Sequence, residues 1–391
     1  MENKILVGLL LCLIFLNVQV RANVPRKFSG KLRGFYFNRS YVPKQESMAL
    51  GGWINYNSPS WQGINFNLTA YTSQPFLIAN PAYGGGNLLT PSQEGFTVLG
   101  QANISANFGS NNITIYRQPL NTPFVNIHDI RMIPKMFEAI TFYSNPSPQA
   151  SFTLSHVSKI KGLASTNFVP MSQFAGFAGT DKEVTLAGFN LSPSQRLQVQ
   201  GWNYYCWDFM NILYLQADNI FPLQDNLNLV GSLQTIYQNS IGQAIAGNFS
   251  TGVLGIKGSF QWKNGLNLML AYTTTRANHD IVNPWSGYPG FTSIIEEDCD
   301  LAGEQAWSLG MENNICQLGP GNFSAKIYYS QAFISGKGSF LNPGQYETDL
   351  ILEYKLAENY YWRLKGAMVK KALDMGGLDY ANIRFSVNYD L

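Results

Sequence analysis

Charged residues are scarce in this sequence. Asp, Glu, Lys and Arg make up 13% of its 391 residues, whereas a soluble globular domain has about a quarter. The formal net charge is only +2, so the chain lacks the concentrated basic surface that nucleic-acid partners require. We therefore expect no nucleic-acid partner. The low charged fraction is also unusual for a soluble globular protein.

Long apolar runs are also missing, apart from one at the N-terminus. A spanning helix needs about 20 apolar residues, and the run Ile5–Leu16 is too short. It follows Lys4 and precedes Val20-Arg21-Ala22, an order typical of a cleaved secretory signal. We therefore expect residues 1–22 to be a signal peptide and residues 23–391 to form one exported domain.

Cysteine and histidine are too few for a disulfide scaffold, a metal site or a nucleophilic enzyme. Three of the four cysteines lie beyond residue 22, which allows at most one internal disulfide and excludes a disulfide scaffold. The three histidines stand at no metal-ligand spacing and in no nucleophile motif. The sequence predicts no catalytic residues, no metal, no cofactor and no enzymatic activity.

Strand-like alternation is abundant instead. In Tyr380–Leu391, Ile383 and Phe385 alternate with Arg384 and Ser386, the period-two pattern of a half-buried strand. About eighteen segments of roughly 8–13 residues follow this pattern, and their aromatic and glycine content suits strands and turns. The sequence therefore predicts an all-β fold.

The links between these segments alternate in length. Long links include 73–96, 119–134, 159–181 and 277–303, and short ones separate them; the exception is Cys206–Asp208, where a long link is due. Export, alternating strands, short turns on one side and long loops on the other are typical of a transmembrane antiparallel β-barrel. A soluble β-sandwich would not need eighteen strands in one meander.

Barrel width then restricts the function. Sixteen to eighteen strands leave an aqueous channel, and a long loop folded inward would narrow it. The link that begins at Pro119 carries apolar residues to pack on the inner wall, as well as Asp129 and Arg131. We expect this loop to be a selectivity element.

Several segments resemble the OprD-type outer-membrane porins. They are Leu32-Arg33-Gly34-Phe35-Tyr36-Phe37-Asn38-Arg39, Tyr116-Arg117-Gln118-Pro119 with Asp129-Ile130-Arg131-Met132-Ile133-Pro134, Gly303-Glu304-Gln305-Ala306-Trp307-Ser308-Leu309, Glu347-Thr348-Asp349-Leu350 and the terminal Val387-Asn388-Tyr389-Asp390-Leu391. Gly34, Phe35 and Tyr116 depart from the family pattern. The order of these segments, more than any one of them, carries the resemblance.

This resemblance implies an eighteen-stranded barrel in the cell outer membrane, embedded in lipid that includes the lipopolysaccharide leaflet. Such a channel passes small polar solutes, such as amino acids, peptides or organic carboxylates, and ions. Loop 3 (about 119–135) and loop 7 (about 277–303) would fold inward to form the eyelet. A ladder of arginines and lysines would guide carboxylates, because guanidinium forks bind them in bidentate fashion.

The candidate pore-lining residues come from three sources. The lumen-side phase of the alternation contributes Lys257, Lys326, Arg363, Lys365 and Arg384; the resembling motifs contribute Arg39, Arg117 and Arg131; loops 3 and 7 contribute Asp129, Glu138 and Ser293. We expect the acidic run Glu296–Asp300 to be a solvated loop tip in preference to a cation site.

Two questions stay open at this level. The long loops 73–96 and 159–181 would also suit a surface adhesin or structural outer-membrane protein without selective transport. The pattern does not distinguish a monomer from a homotrimer, because lipid-facing and protein-facing apolar strands look alike.

Overall fold

A computed structural model describes residues 27–40, 43–334, 337–339, 343–372 and 377–391; the expected signal peptide lies outside these residues. Strands make up most of the described chain. The strands are β1 (Phe28–Arg39), β2 (Gln45–Asn57), β3 (Ile64–Ala79), β4 (Phe96–Phe108), β5 (Asn111–Gln118), β6 (Met136–Ser147), β7 (Ala150–Lys161), β8 (Phe168–Pro170), β9 (Val184–Leu191), β10 (Leu197–Cys206), β11 (Met210–Gln224), β12 (Leu227–Ser240), β13 (Ser250–Trp262), β14 (Leu266–Thr275), β15 (Glu304–Leu318), β16 (Gly321–Ile334), β17 (Gln345–Ala357), β18 (Tyr360–Lys371) and β19 (Tyr380–Asp390).

Among the residues that the structure describes, the single turn α1 (Met171–Phe174) is the only α-helix. Within the described ranges, no helix is long and apolar enough to cross a membrane.

The strands close into a ring of eighteen. Each strand pairs antiparallel with its neighbour, and β1 pairs with β19 from Lys31↔Asp390 to Arg39↔Asn382. The short β8 pairs with the end of β7, and β7 also pairs directly with β9, so β8 stands outside the ring. Closure removes the sheet edges, which hydrocarbon would leave without hydrogen-bond partners. The expected transmembrane β-barrel is confirmed.

Alternation sorts each strand into an outer apolar face and an inner polar face. On β19, Ile383 is 47% exposed, whereas Arg384 next to it is 5% exposed. Large apolar side chains such as Leu254, Ile256 and Met368 are likewise exposed, and in an outer membrane they would face lipid. The polar positions therefore face a lumen.

The links alternate as the sequence predicts. Three residues join β10 to β11 on the long-loop side, so the short link at Cys206–Asp208 is a real feature of the barrel. The four longest links are loop 2 (residues 80–95), loop 3 (119–135), loop 4 (162–183) and loop 7 (276–303).

These loops fold into the lumen around two buried clusters. In the first, Leu88 and Leu89 of loop 2 and Met132 and Ile133 of loop 3 pack with Phe37 of the wall. In the second, Phe124 of loop 3, Met171 of loop 4 and Trp285 of loop 7 pack with Tyr204 and Ile236 of the wall. Burial of these apolar side chains holds the loops inside the barrel.

Candidate functional site

Four cations on three adjacent strands line one cavity in the lumen; we call them the basic wall. They are Arg33 of β1, Arg363 and Lys365 of β18 and Arg384 of β19. Lys365 lies directly opposite Arg384 in the strand register, where like charges are destabilising unless something neutralises them. The wall therefore requires negative partners.

Loop 3 closes the cavity from the other side with Asp129, Ile130 and Arg131. The Asp129 carboxylate accepts two hydrogen bonds from Arg33, at 2.8 and 3.1 Å. The Arg131 guanidinium donates to the carbonyl oxygen of Gly86 at 2.8 Å and stacks 4.4 Å from the ring centroid of Phe37. Arg131 thus links loop 3 to loop 2 and to the wall.

Loops 3 and 7 meet inside the barrel. Lys135 Nζ donates to the carbonyl oxygen of Ser286 at 3.4 Å. A Cβ added to Gly287 would stand 3.0 Å from His128 Nε2, so any larger residue would have to push this imidazole aside. Trp285 of loop 7 donates through Nε1 to the carbonyl oxygen of Met171 in loop 4 at 2.9 Å. The three loops therefore pack against one another inside the barrel.

The acidic run of loop 7 is anchored, and our expectation of a solvated tip is wrong. The Glu296 carboxylate, 1% exposed, pairs with both Arg39 and Arg384. The backbone N–H groups of Glu296 and Glu297 donate to the two carboxylate oxygens of Glu347, each at 2.9 Å. Burying such a charge is expensive unless it is paired and hydrogen-bonded, and this network supplies both.

Glu297 extends the same anchor. Its carboxylate pairs with Lys371 at 2.5 Å and accepts a hydrogen bond from Tyr380 Oη at 2.7 Å. Loop 7 also contacts the far wall, where Lys257 Nζ of β13 lies 4.5 Å from the ring centroid of Phe291. The loop therefore spans the lumen between two parts of the wall.

Most cations of the lumen have an acidic partner. Lys326 pairs with Glu312 at 3.0 Å, and Arg363 Nε donates to Glu353 at 2.6 Å. Among the predicted cationic pore residues in the described ranges, Lys257, Lys365 and Arg131 have no ion pair. Lys365 and Arg131 line the cavity, and of these two Lys365 belongs to the basic wall.

The loop groups near the cavity carry less positive charge than their number suggests. Burial, reinforced by Lys135 and Arg131, lowers the pKa of His128 to about 4, so this imidazole is neutral at pH 7. Burial also lowers the pKa of Lys135 to about 8. At pH 7, therefore, His128 adds no positive charge near the cavity, whereas Lys135 keeps most of its charge.

Six predicted residues do not line this cavity: Arg39, Arg117, Glu138, Lys257, Ser293 and Lys326. Glu138, expected to supply an acid from loop 3, instead belongs to β6, where it pairs with Arg117 at 3.1 Å and with Lys159 at 3.3 Å. The Arg117 guanidinium also stacks 4.2 Å from the ring centroid of Phe168 in loop 4. Ser293 Oγ donates to Asp298 Oδ1 at 2.7 Å, inside loop 7.

Sequence reasoning missed Arg33 and Glu347 as site residues. Both stand in segments that carry the family resemblance. Arg33 also alternates with apolar Leu32 on β1, so the same period-two reading that selected Arg384 would have placed it in the lumen. No local signal identifies Glu347 as the acceptor of loop 7 backbone N–H groups, because that role depends on a contact 50 and 51 residues away.

The cysteines and metal-binding groups add nothing to this site. Cys206 and Cys299 are buried free thiols. In the part of the chain that the structure describes, no group of three or more His, Cys, Asp or Glu residues is arranged to hold a metal ion.

A closed eighteen-stranded barrel whose charged lumen is narrowed by inward loops defines the class of outer-membrane channels. The model of the OprD family of outer-membrane porins matches residues 26–391. The chain belongs to that family.

Solved porin structures share the fold over 93% of this chain. OccK9 (OpdG) of Pseudomonas aeruginosa is similar with a TM-score of 0.80 at 18% identity, over 97% of its own chain. A BenF-like porin of Pseudomonas fluorescens Pf-5 has a TM-score of 0.80 at 16% identity, over 98% of its chain. OpdK of Pseudomonas aeruginosa, solved with vanillate, has a TM-score of 0.79 at 15% identity, over 98% of its chain. No curated protein sequence matches.

Proposed function

We propose that this porin conducts small polar solutes with a preference for organic carboxylates, through an eyelet formed by loops 3 and 7 against the basic wall. One observation carries the proposal. Lys365 lines the cavity together with Arg33, Arg363 and Arg384, and within the described part of the chain it is the wall cation that has no acidic partner. A passing carboxylate would supply the missing negative charge.

The charge balance of the wall supports this reading. Asp129, Glu296 and Glu353 neutralise Arg33, Arg384 and Arg363 respectively. A fully neutralised wall would hold anions weakly, and a fully unpaired wall would hold them too long to release them. One unpaired ammonium among paired guanidiniums favours entry and still permits exit, as conduction requires. Vanillate, the ligand of the similar OpdK structure, is itself an organic carboxylate.

The loops that an adhesin would present outward are occupied inside the barrel. Leu88 and Leu89 of loop 2 and Met171 of loop 4 are buried in the lumen clusters. This packing favours a channel constriction over a surface-binding role.

Planar bilayer recording tests the proposal. Purified protein should give discrete conductance steps, and the absence of steps would rule out the channel function. Lys365→Gln should weaken the block of chloride current by benzoate by about 1.5–3 kcal/mol, on the order of tenfold or more, the usual value of a hydrogen bond to a charged group. Lys257→Gln removes the same charge from the far wall and should change the block much less.

We also propose that residues 1–22 are removed on export and that residues 23–391 form the mature barrel. The mass of the protein purified from outer membranes tests this, since cleavage at the proposed site leaves Asn23 as the first residue.

A further inference from the structure

Asp129 binds Arg33 in the way a carboxylate solute would. Arg33 NH1 and NH2 donate to separate oxygens of the Asp129 carboxylate, at 2.8 and 3.1 Å. This two-point geometry is the preferred mode of guanidinium–carboxylate recognition. The acid comes from the eyelet loop itself, so a group of the protein occupies a position on the proposed solute path.

Arg33 does not depend on Asp129 for its position. Its Nε donates to Asn388 Oδ1 at 2.8 Å on the neighbouring strand, and NH1 also donates to the carbonyl oxygen of Arg131. The guanidinium would therefore stay in place, oriented for a second carboxylate, if Asp129 moved away.

Asp129 depends almost entirely on Arg33. In the described ranges, Arg33 is the sole hydrogen-bond partner of the Asp129 carboxylate, and the Asp129 side chain is 36% exposed. Asp129 is also the central residue of a tight turn closed by a 2.8 Å hydrogen bond from Ile130 N–H to the His128 carbonyl oxygen. Its side chain can turn toward the open lumen without disturbing another contact.

We propose that Asp129 binds Arg33 reversibly. An arriving solute carboxylate displaces the Asp129 carboxylate from Arg33, and Asp129 returns when the solute leaves. The inference rests on the proposed carboxylate function and identifies a specificity-determining residue within it. Exchange keeps the charge next to Arg33 constant, so the solute is not held by an uncompensated guanidinium. The cost of displacing Asp129 sets a limit on how tightly the wall binds any carboxylate.

The test measures benzoate block of chloride current in planar bilayers, with benzamide as the uncharged analogue. Asp129→Asn should lower the benzoate concentration for half-block by about two- to fivefold, the factor that corresponds to a partly exposed ion pair. Benzamide should act equally on both proteins. Asp218→Asn is the matched control: it removes the same charge from β11, where Asp218 accepts a hydrogen bond from Gln216 at 2.8 Å, and should leave the half-block concentration unchanged.

A double variant separates exchange from a general charge effect. In an Arg33→Gln background, Asp129→Asn should have no further effect on benzoate block, because the contested guanidinium is gone. An unchanged or raised half-block concentration for Asp129→Asn, or an effect that persists without Arg33, would overturn the inference. If Lys365→Gln still weakens benzoate block in that case, the proposed function survives and exchange alone fails.

Discussion

Two acids from different loops reach the same basic wall, and the barrel holds them in opposite ways. Glu296 of loop 7 is 1% exposed and pairs with two arginines, and its backbone N–H is fixed by Glu347. Asp129 of loop 3 is 36% exposed and has one partner. The first arrangement anchors loop 7, and the second leaves the Asp129 carboxylate with little to hold it.

The energetics of ion pairs explain why both kinds are needed. Breaking a buried pair by removing one partner costs about 3–5 kcal/mol, because the other charge stays buried alone. A partly exposed pair contributes only about 0.2–1 kcal/mol. A channel that narrows its pore with loops needs strong buried ion pairs to keep the loops folded inward. It needs weak, partly exposed ion pairs so that solutes can compete for the charged groups of the wall.

Removing the Glu296 charge should have the largest effect, because it removes the buried acid that anchors loop 7. Glu296→Gln leaves Arg39 and Arg384 without their shared carboxylate, and the loop 7 anchor should weaken by about 3–5 kcal/mol. The backbone amides of residues 296 and 297, which donate to Glu347, should then exchange with deuterium much faster.

The matched control for this variant is Glu94→Gln. Glu94 is an exposed acid of loop 2, so its loss changes the net charge equally without touching the anchor. If the amides of residues 296 and 297 keep their parental protection in Glu296→Gln, the anchoring role of Glu296 is refuted.

Loop 3 provides the next largest effect, through Arg131. Arg131→Ala removes the hydrogen bond to Gly86 and the stacking on Phe37, a loss of about 1.5–3 kcal/mol for a charged donor. Loop 3 should loosen, and the reversal potential in a salt gradient should shift toward cation selectivity.

Arg131→Lys separates geometry from charge in the same experiment. It retains the charge but not the planar guanidinium that donates and stacks together, so the reversal potential should stay closer to the parental value. An Arg131→Ala channel with the parental reversal potential would show that Arg131 contributes nothing to ion selection.

The sequence predicts the barrel well because alternation is local. Residues next to each other on β18 and β19 reveal their faces, so Arg363, Lys365 and Arg384 could be assigned to the lumen without a structure. The two loop acids could not be distinguished this way. Asp129 meets Arg33 across 96 residues and Glu296 meets Arg39 across 257, and burial of either carboxylate depends on how several loops pack together.

The smallest expected effect concerns a third acid, Asp300 of loop 7, which has no cationic partner in the described ranges. Burial, with Asp298 and Asp280 nearby, raises the pKa of Asp300 to about 7, whereas a solvated aspartate titrates near 3.9. The docked loop therefore favours the protonated form: docking is strongest below about pH 4 and weakens as the pH rises through about 7.

Brief conductance fluctuations should become more frequent between pH 5 and 8, and Asp300→Asn should remove that dependence. Asp225→Asn, in the turn between β11 and β12, should retain it; an unaltered pH profile in Asp300→Asn would mean that titration of Asp300 has no part in how firmly loop 7 is held.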